Sequence, residues 1–140
     1  MSNAAMLGPV FVHVMLVLGL LVVTGRGRVA AVNSGEVKLK DIALDSSRWP
    51  ERLRKSANNY ANQFELPVLF YALVAFVIAT GLAEGVFLVL AWAFGASRLV
   101  HSFIHLGSNW PPHRLFAFAT GTAVLAAMWL WFAIRLYVTG

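Results

Sequence analysis

Residues 86–106 read VFLVLAWAFGASRLVHSFIHL, an apolar run that is long enough to cross a bilayer as a helix. The second half of this run carries Arg98, His101 and His105. Their spacings of three and four place the three side chains on one face of a helix. Ionisable groups inside a membrane are costly and normally face a partner or a water-filled cavity. The run therefore predicts a membrane helix with one polar face at one end.

Three further apolar stretches of similar length accompany this run, at residues 6–24, 64–83 and 114–137. Apolar residues make up 59% of the 140-residue chain and charged residues 12%, against about 25% charged residues in soluble domains. So few charged side chains cannot cover the surface of a water-soluble domain of this size. We therefore predict an all-α integral membrane protein, a four-transmembrane-helix bundle that forms one domain over residues 1–140.

The polar segment at residues 25–62 carries eight of the eleven basic residues. Loops rich in Lys and Arg stay on the cytoplasmic side, so we predict a cytoplasmic loop here and both termini outside the cytoplasm. We expect the first apolar stretch to be a retained span rather than a signal peptide. No basic residue precedes it, and Arg26 and Arg28 follow it directly.

The second span is predicted to begin as a cytoplasmic helical extension near Pro50. A hydroxyl of Ser46 or Ser47 is the expected cap, with Pro50 in the first turn and Glu51 near the positive end of the helix dipole. Pro67 then lies inside the span, where it frees the carbonyl of Gln63 and predicts a kink.

Charge and cysteine content exclude several kinds of chemistry. The net charge of +5 indicates no nucleic-acid partner, because the basic residues are confined to the segments between apolar stretches. The chain has no cysteine, so a disulfide, a thiolate metal site and a protein thiol nucleophile are excluded. A reacting thiol would have to come from a ligand. We predict no bound metal, since His101 and His105 are not accompanied by the carboxylate or thiolate ligands that a metal site usually has.

Polar side chains from three spans are predicted to meet in one leaflet. A stripe with spacings of four, four and three lies on the second span, formed by Arg54, Asn58, Asn62 and Glu65. The polar face of the third span and Arg114 at the start of the fourth reach the same side. Three arginines against one glutamate favour an anionic or amphiphilic ligand.

Structural interpretations of these residues remain open. Asn58 and Asn62 are equally suited to interhelical hydrogen bonds, and Glu65 and Arg98 to an ion pair between two spans. His13, alone in the first span, is interpreted as an interhelical contact without a further function. A proton pathway through Glu65, Arg98 and the two histidines is disfavoured, because the outer halves of the first and fourth spans offer almost no ionisable group.

Two motifs resemble those of the MAPEG family, the membrane-associated proteins in eicosanoid and glutathione metabolism. The stretch 97–107, SRLVHSFIHLG, followed by Arg114, is similar to the family's Arg-x-x-His-(x)5-Gly run and its later arginine. The stretch 62–67, NQFELP, is similar to its Asn-x-x-Glu element. Two departures stand beside the resemblance. The family's Arg-x-x-x-Asn-x-x-Glu pattern is complete in neither register, and His105 stands where several family enzymes have tyrosine.

The resemblance implies a homotrimer that binds glutathione between subunits on the cytoplasmic side and acts on small lipophilic substrates. Arg114 would be the catalytic residue that stabilises the glutathione thiolate. The implied glutathione-binding residues are Arg54, Asn58, Asn62, Glu65, Arg98, His101 and His105. We expect a bacterial inner membrane as the location, with lipids as further partners. The alternative is a non-catalytic lipid-binding scaffold of the same fold, because the family also contains a member without catalytic activity.

Overall fold

The computed structural model describes residues 2–138, which form helices and turns without a strand. The helices are α1 (Asn3–Asn33), α2 (Leu39–Ile42), α3 (Glu51–Asn62), α4 (Leu66–Ala79), α5 (Gly85–Leu106) and α6 (Pro111–Tyr137). Four spans long and apolar enough to cross a membrane are provided by α1, by α3 with α4, by α5 and by α6. The predicted four-helix membrane fold is confirmed.

Helix α1 continues to Asn33, beyond the predicted end of the first span at residue 24. Packing explains the extension. A Cβ atom on Gly27 would lie 2.6 Å from Cδ2 of Leu53, so the glycine allows α1 to approach α3 closely. Ala31, Val37 and Leu53 form a small core beyond this contact. The predicted loop over residues 25–62 is therefore largely helical, because its apolar residues bury one another outside the membrane span.

The predicted helix start near Pro50 is confirmed, but the predicted hydroxyl cap is wrong. Helix α3 begins at Glu51 with Pro50 as its N-cap residue and without a side-chain cap. The two serines belong to a short 3-10 helix, Ser46–Arg48. Asp45 caps that turn by accepting a hydrogen bond from the backbone nitrogen of Ser47 at 2.9 Å. The acidic side chain precedes the turn directly and therefore takes the capping position.

The second span breaks at residues 63–65, as the position of Pro67 predicts. Helix α3 ends at Asn62, and α4 starts at Leu66 with Pro67 in its first turn. Proline lacks a backbone N–H and is tolerated in the first turn of a helix but not in its interior. Because of the break, backbone carbonyl groups at the end of α3 accept no hydrogen bond from within the helix. They lie in the stretch that is predicted to cross the membrane, where unpaired backbone groups are costly.

Two ends of the bundle can be distinguished by the connections they carry. The segment from residue 34 to residue 50 and the turn at residues 107–110 lie at one end, which we call the loop end. The apolar core occupies the part of the bundle away from that end, with Phe70, Phe87, Phe94 and Met128 fully buried in it. The loop-end half is polar inside, and that half contains the candidate site.

Candidate functional site

A cavity of about 840 Å³ opens between α3, the start of α4, α5 and α6. Its polar lining consists of Asn58, Asn62, Glu65, His101, His105 and Arg114. Apolar side chains of α6, among them Leu115 and Phe118, complete the wall. Six of the eight predicted site residues thus line one cavity, which is large enough for a small-molecule ligand.

Arg114 lies in the first turn of α6 and is half-buried. Its Nη1 atom donates a hydrogen bond to Oδ1 of Asn109 at 2.9 Å. Asn109 has a positive φ of 50° in the tight turn between α5 and α6, a conformation that asparagine adopts more readily than most residues. The bond fixes one side of the guanidinium at the rim of the cavity and leaves its other N–H groups for a ligand.

His101 and His105 stand one turn apart on α5, and both are buried. Their ring centroids are 5.7 Å apart in an edge-to-face arrangement. His105 Nδ1 lies 3.5 Å from Nδ2 of Asn62, the long limit of a hydrogen bond. Neither ring nitrogen of His101 has a hydrogen-bond partner among residues 2–138. Both nitrogens are closed off from the cavity, and the backbone of Arg114 lies close to the ring, so His101 packs against the start of α6.

Arg98 does not line the cavity and lies behind its wall. Its side chain is 1% exposed, and Nη2 donates to the carbonyl oxygen of Asn62 and to Oε1 of Gln63, each at 3.3 Å. The carbonyl of Asn62 is one of those released at the helix break. No ion pair within 4 Å joins Arg98 to Glu65 in the described part of the chain, so the direct contact of that alternative is absent and only a longer-range attraction joins them. The broken helix offers Arg98 nearer acceptors.

Arg54 is separated from the rest of its predicted stripe. It is exposed and lines a second cleft at the loop end, together with Asn58, which borders both cavities. Asn62 and Glu65 line the first cavity. A stripe of this length spans about 16 Å along a helix, so its two ends reach different openings.

A buried polar network beneath the cavity was missed by sequence reasoning. Its centre is Gln63, which is 1% exposed. The Nε2 atom of Gln63 donates to the carbonyl oxygen of Asn59 at 2.9 Å, to Oδ1 of Asn59 at 3.0 Å and to Oγ of Ser102 at 3.2 Å. Its Oε1 atom faces His13 Nε2 at 3.0 Å as well as Arg98. The network therefore joins α1, α3 and α5 at the helix break.

The hydrogen bonds of His13 define its tautomer. Oε1 of Gln63 can only accept, so Nε2 of His13 carries the proton. Nδ1 then accepts from the hydroxyl of Tyr71 at 2.5 Å. The predicted interhelical contact of His13 is confirmed. One signal for this network was available in the sequence, since Ser56, Asn59 and Gln63 follow a helical spacing on a second face of the same span.

The fold and the cavity together define a multi-pass α-helical membrane protein with a polar cavity between its spans. The model of the MAPEG family matches residues 6–134, nearly the whole chain, and the protein belongs to that family. No curated protein and no solved structure matched the chain. Family membership supports a membrane protein of glutathione or eicosanoid metabolism.

Proposed function

We propose that the protein is a membrane-embedded glutathione-dependent transferase or peroxidase that acts on lipophilic electrophiles. The observation that carries this proposal is the position of Arg114 at the rim of a polar cavity of about 840 Å³ in a member of the MAPEG family. The chain has no cysteine, so the thiol nucleophile is supplied by the ligand.

Arg114 is the proposed catalytic residue. A nearby cation favours the charged form of a thiol, whose ordinary pKa is about 8.5, and each unit of lowering corresponds to about 1.4 kcal/mol. In the transferase reaction the thiolate sulfur forms a bond to the electrophilic carbon, and the leaving group departs with the electron pair. In the peroxidase reaction the thiolate sulfur attacks the terminal oxygen of a hydroperoxide and the O–O bond breaks, leaving a sulfenic acid and an alkoxide that takes up the proton lost by the thiol to become the alcohol. A second thiol then converts the sulfenic acid to disulfide and water.

The other cavity residues bind the rest of the tripeptide. Glu65 is the one carboxylate in the lining and binds the ammonium group, while Asn58 and Asn62 supply neutral hydrogen bonds. His101 and His105 line the opposite wall. Arg98 acts as a positioning residue, because it holds the carbonyl of Asn62 at the helix break and does not reach the cavity.

A homotrimer in a bacterial inner membrane is part of the proposal, with the loop end in the cytoplasm. Asn58, Ala61 and Glu65 are exposed along one side of the cavity. An exposed carboxylate and amide near the predicted membrane boundary need polar neighbours, which an adjacent subunit would supply. Lipids and a small lipophilic substrate are the other proposed partners.

Glutathione titration of the detergent-purified protein tests the thiol chemistry. We expect thiolate formation, seen as ultraviolet absorbance, and conjugation of a generic aryl halide. Arg114→Ala should abolish both while leaving the helical content unchanged by circular dichroism. Arg26→Ala is the matched control, because Arg26 is exposed and lies outside the cavity. Thiolate formation at the wild-type level in Arg114→Ala would contradict the assigned role.

A non-catalytic lipid-binding scaffold is the second candidate. One observation favours it: Arg98 and Arg54, two of the three expected cationic ligands, do not line the cavity. On this alternative the apolar wall at Leu115 and Phe118 binds an acyl chain. Retained binding of a fatty-acid probe, without thiolate formation or turnover in the wild type, would favour the scaffold over the glutathione-dependent enzyme.

A further inference from the structure

A second cavity of about 510 Å³ lies at the loop end, between the end of α1, the 3-10 helix and the start of α3. Three basic side chains line it, from Arg28, Arg54 and Lys55, against one acidic side chain, from Glu51. Nζ of Lys55 pairs with Oε1 of Glu51 at 2.9 Å. The cleft therefore has an excess of two positive charges, and Glu51 attracts Arg54 as well as Lys55.

The Arg28 guanidinium lies against an aromatic ring in the cleft and has no acidic partner within 4 Å among the described residues. Its guanidinium carbon lies 5.0 Å from the centroid of the Trp49 ring, a cation–π contact. Its Nε atom is buried and has no hydrogen-bond partner among residues 2–138. Within the same part of the chain, neither Arg28 nor Arg54 forms an ion pair within 4 Å. Guanidinium groups in this state favour a bidentate anion such as phosphate.

A separate narrow groove of about 210 Å³ adjoins the cleft. It lies between α1 and α3 and shares Arg28 and Ala57 with the cleft. From there it passes Gly25 and Tyr60 and reaches Leu21. Leu21 lies seven positions before Arg28, about 10 Å along the helix axis. The predicted apolar stretch of α1 ends at residue 24, so the groove runs from the polar end of α1 into that stretch.

We propose that the cleft and the groove together bind one anionic phospholipid. Its phosphate contacts Arg28 and Arg54, and one acyl chain follows the groove past Gly25 to Leu21. A basic opening with an aromatic side chain at the interface, joined to an apolar channel at acyl depth, matches the two ends of such a lipid. The cleft shares Asn58 with the thiol cavity, so the experiment below also tests whether glutathione competes with the lipid.

Native mass spectrometry of the detergent-solubilised full chain tests the site. The probes are dioleoyl phosphatidylglycerol, dioleoyl phosphatidylcholine and inorganic phosphate. We expect one phosphatidylglycerol per chain, bound at least about tenfold more tightly than phosphatidylcholine, because two cations near the headgroup favour a net negative lipid. Arg28→Gln should weaken phosphatidylglycerol binding about tenfold through loss of charge-assisted hydrogen bonds. Arg26→Gln, on the same helix but outside the cleft, should leave it unchanged.

Substitution of a glycine in the groove separates a lipid from a free anion. A Cβ atom on Gly25 would meet no atom within 4 Å, so Gly25→Leu fills the groove without displacing the fold. It should weaken phosphatidylglycerol binding at least about fivefold and leave phosphate binding unaltered. Gly19→Leu is the matched control, because Gly19 has equally open surroundings on α1 and lies outside the groove.

Three results would overturn the proposal. Equal lipid binding by Gly25→Leu and wild type, with displacement of the lipid by millimolar phosphate, would assign the cleft to a free anion. Equal effects of Arg28→Gln and Arg26→Gln would show that the cleft has no specific role. Displacement of the lipid by glutathione, together with weaker glutathione binding in Arg28→Gln, would make the cleft an extension of the thiol cavity. None of these results depends on enzymatic turnover.

Discussion

Replacing Gln63 by leucine is expected to destabilise the bundle strongly, although the two side chains are of similar size. The substitution removes Oε1, which is the acceptor for Nε2 of His13 and for Nη2 of Arg98. His13 Nε2 has no other hydrogen-bond partner within residues 2–138, whereas Arg98 Nη2 keeps the carbonyl of Asn62. Asn59 and Ser102 lose the donor Nε2 but still bond to each other.

The expected loss of stability is about 3 kcal/mol. A buried donor left without a partner costs about 1–3 kcal/mol, and more when the group is charged. Counting the five contacts of Gln63 at about 0.6 kcal/mol each, an average for hydrogen bonds within membranes, leads to a similar value. For a chain of this length the loss corresponds to a melting temperature lower by about 10 °C.

Thermal unfolding in detergent, followed by circular dichroism, measures this loss. Asn62→Leu is the matched control, because Asn62 makes one side-chain contact at 3.5 Å and should change the melting temperature by less than about 4 °C. Gln63→Glu keeps an acceptor for His13 and Arg98 but places a carboxylate oxygen against the carbonyl oxygen and Oδ1 of Asn59, so it should also lower the melting temperature. Equal melting temperatures for Gln63→Leu and Asn62→Leu would refute the conclusion that the network holds the helix break together.

Two further predictions concern the helix packing and the loop end. Gly121→Ala places a Cβ atom 2.6 Å from Oγ of Ser97, which donates to the Phe94 carbonyl at 2.7 Å, so we expect a loss of about 1–3 kcal/mol in thermal unfolding. Adding Ser97→Ala should restore most of it, and failure of this rescue would locate the strain elsewhere. The Arg52 hydrogen bond lowers the pKa of Glu36, so this pair stabilises the loop at neutral pH and loses its effect as the pH falls through that lowered pKa. Carboxyl NMR titration should show the low pKa in the wild type and a value near 4.5 in Arg52→Gln; equal values in both proteins would exclude the pairing.

The sequence predicted the spans because hydrophobic length is a local property. Each apolar stretch satisfies its own backbone hydrogen bonds as a helix, whatever its neighbours do. The break near Pro67 is local as well, since the missing N–H belongs to that residue. The convergence of Asn62, His101 and Arg114 was predictable from helix periodicity and the alternating direction of successive spans.

The tertiary structure decided which polar side chains face the cavity and which lie inside the bundle. Spacing placed Arg98 with His101 on one face of α5, but the carbonyl freed at the helix break draws Arg98 behind the wall. Gln63 became the centre of the interior because α1 and α5 bring His13 and Ser102 to it from distant parts of the chain. Periodicity describes one helix at a time, whereas the burial of a polar group depends on the partners that other helices supply.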